Sequence, residues 1–196
     1  MSKAIIFDIF GVLYPDTFWS LANKYLPERN EKMQQLLHEI IRKSDSGFIS
    51  QEQFWEEAAD AFGISYEAVI LEKNSMGGVD EALIDYIKTV KERGFKVGII
   101  SNVGHGFIER ALDQTQKKVF DSIVLSGPDG HMKPARGAYE LSAEQLGVPI
   151  ENCLFFDDID RNVAGAIDAG MKSELYENFV LCKQQTESFL TADTDK

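Results

Sequence analysis

"AIIFDIFGVLYP", residues 4–15, decides how the rest of the chain is read. A short apolar run leads straight into one carboxylate, Asp8, and a glycine, Gly11, follows. An unbroken apolar run of this length has no solvent face, so it fits a strand covered on both sides, as in a parallel sheet between helical layers. In open parallel sheets ligands gather outside the carboxyl ends of the strands, which is where Asp8 falls. An acid there caps a helix, faces water or does chemistry. Position 10, where a second acid would complete an acid/base pair, holds Phe10.

Three similar runs follow: "KVGII" (96–100), "SIVL" (122–125) and "CLFF" (153–156). The amphipathic segments between them stop at Gly94, Gly147 and Gly170, and glycine just past a helix is the usual left-handed stop. Repetition of strand and helix predicts an α/β fold, a Rossmann-like parallel sheet flanked by helices. One connection is far too long for a strand–helix unit, about eighty residues between the first two strands. It carries helical patterns of its own. Asp16 opens the first. "NEKMQQLLHEIIRK" places Met33, Leu36, Leu37, Ile40 and Ile41 on one face. Ser50 and Gln53 form a capping box for a third that ends at Gly63, and "SYEAVILEKN" follows. Residues 15–78 are therefore expected to be a small all-helical insertion, hinged near Pro15 and Gly77–Gly78. Residues 1–14 and 79–196 would form the core, with a polar, frayed tail.

Composition narrows the function. The 196 residues are 44% hydrophobic and 27% charged, ordinary for a globular protein of one domain with an insertion. A net charge of -12 argues against a nucleic-acid surface. No apolar stretch approaches the ~18 residues of a membrane span, and the opening "MSKAIIFD" is too short for a signal peptide. Cys153 and Cys182 lack metal or disulfide spacing and suit a reducing compartment. A cytoplasmic protein, monomeric or homodimeric, is expected.

Three apolar runs end in a polar residue: Asp8 after "IIF", Ser101 after "GII", and Asp157–Asp158 after "LFF". All would face one crevice. "GHMKP" brings Lys133 to the same end, with Pro134 expected at the first position of a helix. Three neighbouring carboxylates repel one another, and Lys133 offsets one charge. A hard divalent cation such as Mg2+ would offset more, and it commonly takes one or two carboxylates plus substrate phosphate.

These four segments, in this order, resemble the motifs of the haloacid dehalogenase-like hydrolase superfamily over nearly the whole chain. "FDIFGVL" is similar to the first motif, "IISN" to the second, "GHMKPARGAY" to the third and "FFDDIDRNVAGAIDAGM" to the acidic fourth. The long insertion falls where that family places a helical C1-type cap, and "SGFISQEQFW" is similar to caps of small members that act on sugar phosphates such as glucose 1-phosphate. The resemblance implies hydrolysis of a small phosphorylated metabolite. Asp8 would be the nucleophile, Ser101 would bind phosphate, and Lys133 would be the balancing cation; Asn102, next to Ser101, either binds substrate or phosphate or is structural. Mg2+ would be held by Asp8, the Phe10 backbone carbonyl and Asp158, with Asp157 acting in an outer shell or through water.

Phe10 breaks the family pattern, which has an aspartate here to protonate the leaving alkoxide. Its loss removes general acid/base help worth about 10²–10⁴ in rate and leaves the backbone ligand. Three readings follow. One is a phosphatase whose proton comes from elsewhere, His105 and His131 being candidates on loops. Another is a phosphate-binding or regulatory relative with little turnover. The last is a 2-haloacid dehalogenase, in which a tyrosine holds this position and halide leaves without a proton. Tyr14, Phe18, Trp19, Phe54 and Trp55 either line the substrate side of the insertion or pack its core.

Overall fold

The computed structural model describes residues 2–103, 107–126 and 130–192. Strands β1 (Ala4–Phe7), β2 (Lys96–Ser101), β3 (Ser122–Leu125), β4 (Cys153–Asp157) and β5 (Lys172–Leu175) form one sheet, ordered β3-β2-β1-β4-β5, with every pairing parallel. β1 is central, and Phe7 is level with Ile99 of β2 and Phe156 of β4. The alternation of side chains along each strand divides the core in two. Ile5, Phe7, Ile99 and Phe156 face one layer, and Ala4, Ile6, Ile100 and Phe155 face the other. Each fully buried large apolar side chain is worth about 1.5–3 kcal/mol. The two layers therefore hold the strand ends in fixed register.

The first layer contains α5 (Glu81–Glu92) and the C-terminal α10 (Phe179–Thr191); the second contains α8 (Arg136–Leu146) and α9 (Asp160–Ala169). Two short helices, α6 (Phe107–Ala111) and α7 (Gln114–Lys117), lie between β2 and β3. β5 and α10 were not foreseen. Lys3 ties α10 to the start of β1, its buried ammonium donating to the carbonyls of Phe189 (2.7 Å) and Leu190 (3.3 Å) at the helix end, where the dipole favours a cation.

Between β1 and β2 stand α1 (Thr17–Tyr25), α2 (Glu31–Asp45), α3 (Gln51–Phe62) and α4 (Tyr66–Ser75). They share a core separate from the sheet's, with Phe18, Leu21, Leu37, Ile40, Phe54 and Trp55 among its members. The expected caps are present. Asp16 accepts from the Trp19 amide, and Ser50 with Gln53 completes the capping box of α3. Two details differ from expectation. Leu36 is 41% exposed while Leu37 and Ile40 are buried, because it lies at the edge of the apolar stripe rather than its centre. Pro134 is not the first residue of a helix, since α8 starts at Arg136 after a turn over Lys133 and Pro134. Among the described residues no helix is long and apolar enough to cross a membrane.

Candidate active site

The adjacent strands β2, β1 and β4 deliver Ser101, Asp8 and Asp157–Asp158 to one end of the sheet. The Asp8 amide extends the ladder by donating to the Phe156 carbonyl at 2.9 Å, which fixes its side chain beside the end of β4. Asp8 Oδ1 accepts from the Ile9 amide at 2.6 Å, and the Ser101 hydroxyl is near enough to pull the Asp8 pKa down. Lys133 arrives from the loop before α8, and its ammonium lies 2.9 Å from Asp8 Oδ1 and 2.5 Å from Asp157 Oδ2.

That lysine is held from behind. Asn102 donates to the Lys133 carbonyl (2.9 Å) and accepts from its amide (2.8 Å). Asp157, with no exposed surface, is saturated by Lys133, the Ile159 amide and both oxygens' contacts with Asn162 Nδ2 (3.0 and 3.1 Å). Asn162 is in turn fixed where its carbonyl accepts from the Tyr139 hydroxyl at 2.8 Å. Asp157 therefore has its oxygens committed to positioning the lysine.

Asp158 is the opposite case. Its Oδ1 is buried and has no hydrogen-bond partner. Burial first, then the charges of Asp8 and Asp157, push its pKa up to about 7. Asp8 is raised to about 6, mainly by burial, with Lys133 pulling down and Asp157 pushing up. Burial alone would lower Lys133, but the Asp8 and Asp157 carboxylates outweigh it and hold the ammonium above its usual value. Lys133 thus pairs with two of the three acids, and the third, Asp158, presents an unsatisfied oxygen.

Asp8, Asp157 and Asp158 each bring a carboxylate oxygen within 4.8 Å of the others. This donor set fits a hard divalent cation. The approach of Asp158 to the first-strand loop requires a glycine. Gly11 has φ +76°, and a Cβ there would overlap the Asp158 carboxylate. Gly11→Ala is expected to lose about 1–2 kcal/mol from the left-handed backbone alone, with more from the displaced carboxylate, read from denaturant unfolding.

A cavity of about 630 Å³ opens above these groups and is shared with the α1–α4 helices. Phe18, Phe54 and Trp55 both pack that helical core and line the cavity, joined there by Phe10, Tyr14 and Trp19. Sequence reading missed Asp45, at the end of α2, which lines the cavity together with Asp8 and Lys133. Its only sequence signal was an acid at the carboxyl end of a helix, where the dipole disfavours one. His131 is exposed, packs against Gly137 and does not line the cavity. His105 lies outside the described residues.

A family model for haloacid dehalogenase-like hydrolases matches residues 2–170. The chain belongs to the haloacid dehalogenase-like hydrolase family. The phosphatase MT3486 of Mycobacterium tuberculosis is 38% identical over 93 residues, 46% of this chain and 43% of its own length. An (S)-2-haloacid dehalogenase of Pseudomonas putida is 23% identical over 170 residues, covering 78% of this chain and 74% of that enzyme. The crystal structure of the family enzyme BT-2542 from Bacteroides thetaiotaomicron, in complex with magnesium and inorganic phosphate, has a TM-score of 0.63 at 18% identity, covering 90% of this chain and 95% of that one. At that identity the structural likeness speaks for the fold. One of these relatives is thus named a phosphatase and another a haloacid dehalogenase.

Proposed function

We propose that this chain is a Mg2+-dependent phosphatase acting on a small phosphomonoester through an aspartyl-phosphate on Asp8. The observation that carries the reading is the unpartnered, buried Asp158 Oδ1 beside two further carboxylates and one lysine. Asp8, the Phe10 carbonyl and Asp158 would hold the ion, with Asp157 acting from behind through Lys133. A bound Mg2+ would neutralise the acids and polarise the phosphoryl group.

The chain's own groups do the rest. An oxygen of Asp8 attacks phosphorus, the ester P–O bond breaks and the alcohol leaves with a proton. Water then attacks the same phosphorus, the bond to Asp8 breaks, and phosphate is released with the carboxylate restored. Ser101 and Lys133 donate to the phosphoryl oxygens, and Asn102 serves that site by fixing the Lys133 backbone. Residues 15–78 act as a helical cap over the core of residues 1–14 and 79–196, closing the cavity against water. The aromatic lining suits the body of a small metabolite, and a sugar phosphate is the class the cap resemblance favours.

A dehalogenase reading has Phe10 and a dehalogenase relative on its side. It leaves the Asp158 carboxylate, with its unpartnered oxygen, beside an anionic substrate, and halide displacement gives that acid no task.

The test is phosphate release from p-nitrophenyl phosphate and a sugar-phosphate panel, with and without EDTA. Release is expected to vanish on chelation and return with Mg2+. An independent readout is thermal. Mg2+ at about a hundred times its dissociation constant stabilises by about 2.7 kcal/mol, raising Tm by about 5–10 °C for a chain of this size. Asp158→Ala is expected to lose that shift. No release from any ester, with no Mg2+ shift, would move the weight to a binding or regulatory role.

A further inference from the structure

Phe10 leaves the proposed reaction without its proton donor, and the cavity wall contains a replacement. We propose that Asp45, contributed by α2, is the general acid that protonates the leaving group. The assignment rests on the phosphatase reading above.

Geometry places it there. Among the described residues, the space open above Asp8 is the shared cavity, into which a phosphoester with phosphorus at Asp8 would project its leaving group, and Asp45 lines that cavity together with Asp8, Phe10, Ser101 and Lys133. Asp45 is the last residue of α2, and the chain reverses directly after it at Gly47 (φ 72°). The Ser126 hydroxyl donates to the Asp45 carbonyl at 2.9 Å, pinning the helix end beside the end of β3. The helix therefore cannot carry this carboxyl away without breaking that contact.

Its surroundings favour the protonated acid. Burial first, then the Asp8 charge, raise Asp45 to about 7, against the pull of Lys133 and Arg161. Position at the carboxyl end of α2 acts in the same direction, since the helix dipole disfavours an anion there. No described residue donates a hydrogen bond that would hold it as a carboxylate. Of the other candidates on the cavity wall, Asp160 is exposed in the first turn of α9, and two are engaged elsewhere. Asp16 caps α1 through the Trp19 amide at 3.1 Å, and His38 packs its ring on Trp19.

The step balances. As Asp8 forms its bond to phosphorus and the ester P–O bond breaks, the Asp45 carboxyl proton passes to the departing oxygen, giving the alcohol and the Asp45 carboxylate. That carboxylate then takes a proton from the water attacking the aspartyl-phosphate. Asp8 leaves as carboxylate, phosphate is released and Asp45 is again protonated.

The experiment compares an ester whose leaving group needs a proton with one that does not. For glucose 6-phosphate, Asp45→Asn is expected to lower kcat/KM by about 10²–10⁴. For p-nitrophenyl phosphate the loss is expected to be at least tenfold smaller, which also reports that the variant is folded. Asp45→Glu, which keeps the acid, and Phe10→Asp in the Asp45→Asn background are each expected to recover sugar-phosphate turnover at least about tenfold over Asp45→Asn. Equal losses on both esters, no loss on either, or no recovery in these two variants would overturn the assignment while Asp8-dependent release leaves the phosphatase standing. Absence of Asp8-dependent release from either ester in the native chain would overturn both.

Discussion

Asp8→Asn will abolish phosphate release, by at least about 10⁴-fold, as in enzymes that lose a covalent nucleophile. The substitution is nearly isosteric, so the Ile9 amide keeps an oxygen to bond and the strand end keeps its shape. An amide oxygen, however, does not form the aspartyl-phosphate. Stability should move the other way. Asp8 is a buried carboxylate raised to about 6 by that burial against the pull of Lys133, with Asp157 adding to the rise, and asparagine removes the charge while Lys133 retains Asp157 at 2.5 Å. Without Mg2+ the variant should therefore melt at or above the native temperature, the usual trade between activity and stability at a site built of like charges. Assays on both aryl and sugar phosphates, with melting curves in EDTA, check both halves. Turnover within tenfold of native would remove Asp8 from the nucleophile's place.

Most of the fold was legible because the central strands are buried on both faces. "AIIF" and "CLFF" can be nothing but interior, and the polar residues ending them had to meet at one sheet edge. β5 was illegible for the converse reason: "KSEL" lies at the sheet edge, with Lys172 and Glu174 exposed, so it carries no apolar run. The helix α10 is tied in by Lys3 and by an apolar layer shared with α5, β1 and β4, partners that no local pattern announces. Pro134 looked like a helix start, yet Lys133 has to turn into the site before α8 can begin.

Within the site, the residues at strand ends could be read because topology fixes them. Asn102 could not be read as the residue that holds the Lys133 backbone, nor Asn162 as the partner of both Asp157 oxygens, because those bonds join loops whose paths the sequence does not dictate. Asp45 was hidden more deeply. It belongs to the helical insertion, and it lines the cavity with Asp8 at a helix end that Ser126 holds.

Lys133→Met should be the most destabilising single change at the site. Methionine keeps the length and apolar stem but removes the ammonium, which is 1% exposed and lies within 2.9 Å of Asp8 and 2.5 Å of Asp157. Breaking a buried ion pair by removing one partner costs about 3–5 kcal/mol, because the remaining charge is left uncompensated. Here two carboxylates are left, along with the face of Phe155 on which the ammonium sat. The sign of the pH dependence follows from the raised Lys133 pKa, held above the ordinary 10.5 by Asp8 and Asp157 despite burial. A basic group raised on folding contributes stability that is fully present below its unfolded pKa and is lost as pH climbs through the folded one. In EDTA the gap between native and variant should therefore hold steady up to about pH 10 and close only above 10.5. On the acid side it should narrow, since Asp8, already raised by burial, can shed its charge by protonation in the variant. Denaturant unfolding across this range is the measurement. A gap below about 1 kcal/mol at neutral pH would mean that Lys133 is not what makes the paired carboxylates tolerable.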